Sequence, residues 1–431
     1  MKNYILSELD SEALDRLCRR PRLDYSAILQ QIEPVLSNVE SQGDAAIRHY
    51  TRKFDGIEPD EIYIDPMAVE VSLTDEVRKA IDTAIANVER FHIEQMTGDL
   101  EVQTMPGITC SRVCRPVERV GLYIPGGSAP LPSTAIMLGV PAAAAGCPTI
   151  VLATPPDQNG RVPDAVIYVA RRIGAAGVLI AGGAQAIAAL AWGTESVPAV
   201  DKIFGPGNQY VTAAKMALQN SGAMVSIDMP AGPSEVLVIA GPDADPDFVA
   251  ADLLSQAEHG PDSQVVLVTL PGFDMAKLEQ SLGQQLEQLP RSEIARQALR
   301  HSFSLAADRI EEAIAFSNRY APEHLIINLE DATSWSDEIM HAGSVFLGPW
   351  TPESLGDYAS GTNHTLPTYG YARMYSGVSL SSFQKSITFQ EATRDGLLRL
   401  GPTVETLASL EGLEAHRKAV SIRRDKITSE S

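Results

Sequence analysis

Gln256-Ala257-Glu258-His259 sets an amide and an imidazole three residues apart at the end of a predicted helix. Residues at that spacing share one helix face, so both side chains can reach one metal ion. Asp357, in Gly356-Asp357-Tyr358, and His416 near the C-terminus would complete a nitrogen and oxygen set that suits zinc with an open coordination position. The four are far apart in sequence and no H-E-x-x-H helix occurs, so spacing alone does not fix the set. Glu323-His324 places a carboxylate beside an imidazole just before a predicted strand, an arrangement that serves proton transfer and also occurs on ordinary surfaces. His364 ends Gly361-Thr362-Asn363-His364, which reads equally well as a turn, while His49, His92, His301 and His341 read as surface or structural groups. The four cysteines, Cys18, Cys110, Cys114 and Cys147, include no C-x-x-C pair, which argues against a disulfide framework or a zinc finger. Cys147 could attack an aldehyde in principle, but nothing nearby in sequence lowers its pKa and it reads as a small buried residue.

The elements that must position these groups follow from periodicity. Residues 9–93 are mostly helical in pattern, with Ile28, Ile32 and Val35 at three-to-four spacing and one strand at 62–64. After Cys110, short aliphatic runs alternate with Ala-rich helical stretches, which is the texture of parallel βαβ units. Strands are predicted at 120–124, 150–153, 178–181 and 202–204, with helices at 133–145, 165–173, 185–191 and 209–219. Three of the strands end in glycine turns, Pro125-Gly126-Gly127, Gly182-Gly183 and Gly205-Pro206-Gly207, at the edge where open α/β sheets bind ligands. No turn fits G-x-G-x-x-G or a P-loop, so each could be only a tight βα connection. Tyr123, Gln185 and Asn208 sit beside the three turns and could offer stacking and amide hydrogen bonds to one ligand. A second α/β series is predicted with strands at 235–239, 265–269, 324–327 and 344–347. Beyond Gly370 the apolar strands are expected to stop, leaving one or two short helices at 403–427. Such a tail has too little apolar surface for a core of its own and should pack on another domain or a partner subunit.

Composition narrows the partners. The chain has 431 residues, 44% hydrophobic, and a formal net charge of −21, which repels nucleic acid and anionic membrane surfaces. Its first ten residues resemble neither a secretory nor a transit segment, and stretches such as 135–146 are too short and broken to span a bilayer. A cytoplasmic location is expected.

Together the segments 120–127, 182–188, 204–208, 229–235, 255–260 and 322–325, with Ser354-Leu355-Gly356-Asp357-Tyr358, Gly361-Thr362-Asn363-His364 and Leu366-Pro367-Thr368, resemble the histidinol dehydrogenase family. The resemblance runs from about residue 20 to the tail. It implies NAD-dependent, zinc-requiring oxidation of L-histidinol through L-histidinaldehyde to L-histidine, the last step of histidine biosynthesis. It also implies the fold: two incomplete, doubly wound Rossmann-like α/β domains with small N- and C-terminal helical segments. The expected boundaries are an N-terminal segment 1–20, a first α/β domain of 21–118 and 234–375 carrying the zinc and catalytic residues, an inserted domain 119–233 with the NAD loops, and a tail 376–431. Gln256, His259, Asp357 and His416 look like the ligands of one zinc per subunit. They are counted with Ser234, His324, His364 and Glu411 among the substrate contacts. Tyr123, Gln185 and Asn208 match the nucleotide contacts. His324 would be the base, titrating near neutrality, and Glu323 would activate the water that hydrates the aldehyde. The residue matching His416 comes from the neighbouring subunit in that family, which implies a homodimer with a shared active site. Rival readings are an aldehyde dehydrogenase using Cys147, a zinc-dependent hydrolase with nucleotide-like loops, and a non-catalytic α/β binding protein.

Overall fold

The computed structural model describes residues 1–20, 25–126, 131–229 and 232–430. Gly127 of the first glycine turn, and Pro230 and Ala231 of the 229–235 segment, lie outside the described residues. The chain forms two compact units, one of residues 1–95 and 117–383 and one of residues 96–116 and 384–431.

The larger unit holds two six-stranded sheets. In the first, the spatial order is Tyr63–Ile64, Gly177–Ile180, Thr149–Thr154, Arg119–Tyr123, Lys202–Phe204, Ser226–Ile227, parallel except at the Tyr63–Ile64 edge. In the second, the order is Lys2–Ile5, Phe303–Ala306, Gln264–Thr269, Glu235–Ala240, His324–Asn328, Ser344–Leu347, all parallel. Leaving aside the edge strand from the N-terminal region, both sheets are wound the same way: two strands added outward on one side of the first-formed, then two on the other. The two α/β halves expected from the sequence are therefore matched at the level of topology.

Both sheets bury both faces, as parallel sheets do. Residues alternate across the pleat: Val120, Leu122, Ile150, Leu152, Val178 and Ile180 join one core, and Val151, Ala153, Leu179 and Ile203 the opposite one. The second sheet divides likewise, Val236, Val238, Val265 and Leu267 against Leu237, Ile239, Val266 and Val268. Two expected boundaries change. The helices Tyr25–Gln42, Asp44–Asp55 and Asp75–Ile93 were expected to join residues 234–375, yet Ile28, Ile32, Ile47, Ile81 and Val88 pack into the cores of the first sheet. The N-terminal segment is not wholly helical, because Lys2–Ile5 forms the edge strand beside Phe303–Ala306.

The smaller unit is an antiparallel sheet of Gln384–Ala392, Ile108–Pro116 and Leu100–Met105, followed by the helices Arg394–Leu410 and Glu414–Ser429. Apolar strands do stop beyond Gly370, but the strand Gln384–Ala392 was not among the elements expected there. Eight of its nine residues are exposed, so it carries no apolar run, and its extended form comes from pairing along its whole length with Ile108–Pro116. No helix among the described residues is long and apolar enough to cross a membrane.

Candidate active site

The glycine turns meet at the C-terminal edge of the first sheet. Gly205, with φ +123°, passes so close to Tyr123 that an added Cβ would lie 2.1 Å from the Tyr123 carbonyl oxygen, so only glycine fits the turn. The Tyr123 hydroxyl accepts a hydrogen bond from the Gly183 N–H at 3.1 Å, at the start of the helix Gly183–Trp192. Burial pushes the Tyr123 phenol up to about 12, so it keeps its proton for a ligand oxygen. Asn208 caps the helix Gln209–Gln219 by accepting from the N–H groups of Tyr210 and Val211, which leaves its amide NH2 to donate. Gln185 is buried and its Oε1 finds no partner among the described residues. All three side chains line a cavity of about 810 Å3, which also takes Tyr50, Phe54 and Asp55 from the N-terminal helices. Such a volume admits a dinucleotide-sized ligand.

The acid–base pair lies at the opposite kind of edge. Glu323 precedes and His324 begins the strand His324–Asn328, so both stand at the N-terminal edge of the second sheet. Their first neighbour is Glu235, which opens the adjacent strand Glu235–Ala240. Glu323 Oε2 accepts the Glu235 N–H at 2.9 Å, and His324 Nδ1 faces the Glu235 carbonyl at 3.4 Å. A small pocket joins this edge to the first sheet: Gly205 and Pro206 of the glycine turn line it together with Ser234, Glu323 and His364.

Around His324 the carboxylates crowd. Its Nε2 lies 3.4 Å from Asp357 Oδ1, its Nδ1 lies 3.7 Å from Glu323 Oε2, and donor atoms of His324, Glu353 and Asp357 all fall within 4.8 Å of one another. Burial pushes Glu323 and Glu353 each up to about 8 and Asp252 up to about 7. Burial opposes the charged form of His324, but Glu353, Glu323 and Asp357 outweigh it and push the imidazole up to about 10. The acids around it thus favour the protonated imidazole. His364 is shifted the other way, to about 4, because burial dominates.

Gln256, on the last turn of the helix Pro246–Ala257, is fully buried, and neither its Oε1 nor its Nε2 has a hydrogen-bond partner among the described residues. Glu353 Oε2 and His364 Nε2 likewise lack a partner, while Asp357 Oδ1 and His324 Nε2 face each other at 3.4 Å without well-aligned hydrogen-bond geometry. So many orphaned polar atoms in one region are costly unless something binds them. His259 is exposed, its Nδ1 held by the Ser255 carbonyl at 2.9 Å, which leaves Nε2 as the ligand atom. His259 lies close enough to interact electrostatically with Asp357 and His364. Glu411 and His416 are exposed on the smaller unit, His416 on the helix Glu414–Ser429. Glu353 was missed: it stands one turn before Asp357 on the short helix Glu353–Tyr358, and that i, i+4 spacing was its only sequence signal. Cys147 is buried, its thiol pushed up to about 11 by burial and directed at the Phe383 carbonyl, so no thiolate nucleophile is offered.

A nucleotide-sized cavity at the C-terminal edge of one doubly wound sheet, with a small pocket joining that sheet's Gly205 turn to a buried acid–base pair on a second, defines a dehydrogenase-type α/β protein. The sequence profile of the histidinol dehydrogenase family matches residues 18–424, and the chain belongs to that family. It is 57% identical over 98% of its length to the chloroplastic histidinol dehydrogenase of Arabidopsis thaliana, covering 91% of that protein. It is 53% identical to the histidine biosynthesis trifunctional protein of Komagataella pastoris, covering 98% of this chain and 51% of that one. The crystal structure of histidinol dehydrogenase from Elizabethkingia anophelis superposes with a TM-score of 0.93 at 49% identity over 99% of both chains. The protein is thus an oxidoreductase, a dehydrogenase with a Rossmann-like α/β fold.

Proposed function

We propose that this dehydrogenase oxidises L-histidinol to L-histidine in two successive steps with NAD, using one zinc ion per subunit. The observation that carries the reading is the fully buried Gln256 amide, whose two polar atoms have no partner among the described residues, on a helix that packs against the one carrying Glu353 and Asp357, the carboxylates that crowd His324 with Glu323. A buried amide without a partner among the described residues, close to a cluster of carboxylates, fits a divalent cation bound by oxygen and nitrogen donors. Gln256, His259 and Asp357 would hold it together with His416, supplied by the tail of a second copy in a homodimer. When bound, the zinc supplies orientation of the substrate through its imidazole and amino nitrogens, and a positive charge that offsets the carboxylates around His324.

The chain's own groups then divide the work. His324, returned toward its neutral form, takes the hydroxyl proton as the carbinol carbon gives up a hydride, which yields the aldehyde. Glu323 takes a proton from the water that adds to that aldehyde, because only the hydrate carries a hydride whose loss gives an acid. His324 takes the second hydroxyl proton. Each step removes two electrons, four in all. NAD accepts the hydride each time in the large cavity, against Tyr123, Gln185 and Asn208. Ser234, His364 and Glu411 would contact the substrate, and the site residues of the metal set and His324 would touch it as well. The tail 376–431 would pack on the partner subunit, and the cytoplasm is the proposed location. Purified protein given NAD and limiting L-histidinol should form L-histidine with two NADH per substrate, read by absorbance and mass spectrometry. No NADH in any metal state would instead favour the zinc hydrolase.

A further inference from the structure

Glu235 is the shared neighbour of both members of the acid–base pair, through its backbone. Its N–H binds Glu323 and its carbonyl faces His324 Nδ1, so its peptide groups fix the carboxylate's direction and the imidazole's tautomer. As the first residue of its strand, it would be poorly held by the ladder alone. Its side chain is held instead by an unusual clamp. Arg20 Nε and Nη2 donate to the two carboxylate oxygens at 2.9 and 3.1 Å, and the pair is nearly excluded from solvent, with side-chain exposures of 7% and 2%. The guanidinium lies 3.5 Å from the centre of the Tyr320 ring, and Nη1 donates to the Cys18 carbonyl. The Tyr320 hydroxyl, 3.2 Å from Glu235 Oε2, also reaches Gln264 Oε1 at 2.7 Å.

A buried ion pair contributes little net stability over apolar side chains of similar size, so stability is a weak reason for this one. What it supplies is position: a bidentate, ring-stacked carboxylate has no freedom to turn. We propose that Arg20, Glu235 and Tyr320 are positioning residues, a clamp that holds the Glu235 peptide groups where they set the working geometry of Glu323 and His324. The inference rests on the roles given above to Glu323 and His324. Because the pair sits where proton transfer occurs, a shift of a fraction of an ångström acts on turnover and leaves the nucleotide cavity unchanged, since none of the clamp residues, Glu323 or His324 lines it.

The test is a graded series in the full-length, zinc-loaded protein. Y320F removes one contact to the Glu235 carboxylate, R20K keeps the charge but loses the fork, and the double variant R20M/E235L removes the clamp without burying a lone charge. Each is assayed for folding by circular dichroism, for zinc content, for the KM of NAD, and for kcat with L-histidinol and with L-histidinaldehyde. The clamp predicts unchanged zinc and NAD KM, with kcat for both substrates falling in the order wild type, Y320F, R20K, double variant, reaching about a 100-fold loss in the last. The conservative R20K restoring most of what the double variant loses is part of the expectation. Equal kcat across every variant that folds overturns the clamp. Loss of kcat only in step with lost zinc or raised NAD KM overturns it as well. A wild-type protein inactive on both substrates refutes the underlying reading instead, so the two failures are separable.

Discussion

Gln256→Leu should stabilise the metal-free protein and destabilise its response to zinc, an opposition that a merely structural glutamine could not produce. The amide is fully buried and neither polar atom has a partner among the described residues, so folding strips it of water without a compensating hydrogen bond there. Leucine has nearly the same shape and no polar group to desolvate. Relief of the buried amide is worth about 1–3 kcal/mol, the cost of an unsatisfied buried group. For a chain of this length that corresponds to a rise of about 1–3 °C in the midpoint of thermal unfolding. The assay is scanning fluorimetry of wild type and variant after chelation, then across a zinc titration. Wild type should climb with added zinc, since a ligand that binds only the folded state stabilises it, and the variant should climb far less. The two curves therefore cross. A chelated variant less stable than chelated wild type would refute the reasoning, because it would mean that the amide already has a partner in the folded protein.

Glu323→Gln keeps an acceptor for the Glu235 N–H and removes the base, so oxidation of L-histidinaldehyde should slow by about 100-fold or more while oxidation of L-histidinol persists. Stopped-flow NADH traces with an aldehyde trap separate the steps, and equal loss of both would count against the division of labour. The pH dependence of metal-free stability has a definite sign. Glu323 and Glu353 are raised from 4.5 to about 8 by burial, so between those values the native state binds more protons than the unfolded one. Their contribution is fully present below about pH 4.5 and is lost as pH rises toward 8, and His324, raised from 6.5 to about 10, continues the loss upward. Denaturant midpoints of chelated protein should fall across this window, and a rise would contradict the carboxylate crowding. His416→Asn should lower zinc content and activity together, measured by atomic absorption and NADH formation; full zinc occupancy would remove it from the ligand set.

Much of this was legible in the sequence because its causes are local. Parallel strands buried on both faces appear as short aliphatic runs, and Lys202–Phe204 and Ser344–Leu347 fall where those runs stand. Glycine turns reveal themselves by composition, since Gly205 admits no Cβ. The strand Gln384–Ala392 was hidden because pairing, not burial, makes it extended. The placement of the N-terminal helices was hidden because an amphipathic face does not say which sheet it will cover. Within the site, the Glu323-His324 dipeptide was visible, but its place at an N-terminal sheet edge ran against the rule that ligands meet C-terminal edges. The geometry resolves the conflict: the C-terminal edge of the first sheet, at Gly205 and Pro206, meets the N-terminal edge of the second at Ser234 and Glu323. Asp252 and the Arg20 clamp act only through burial and through partners far away in the chain, neither of which is written in local spacing, and Glu353 left only its i, i+4 relation to Asp357.

The most direct measurement is the number of NADH formed per L-histidinol by the purified protein, taken as isolated, after chelation, and after zinc is restored. The account predicts two, then none, then two again. One NADH in the zinc-loaded protein, or two that survive complete removal of the metal, would contradict it.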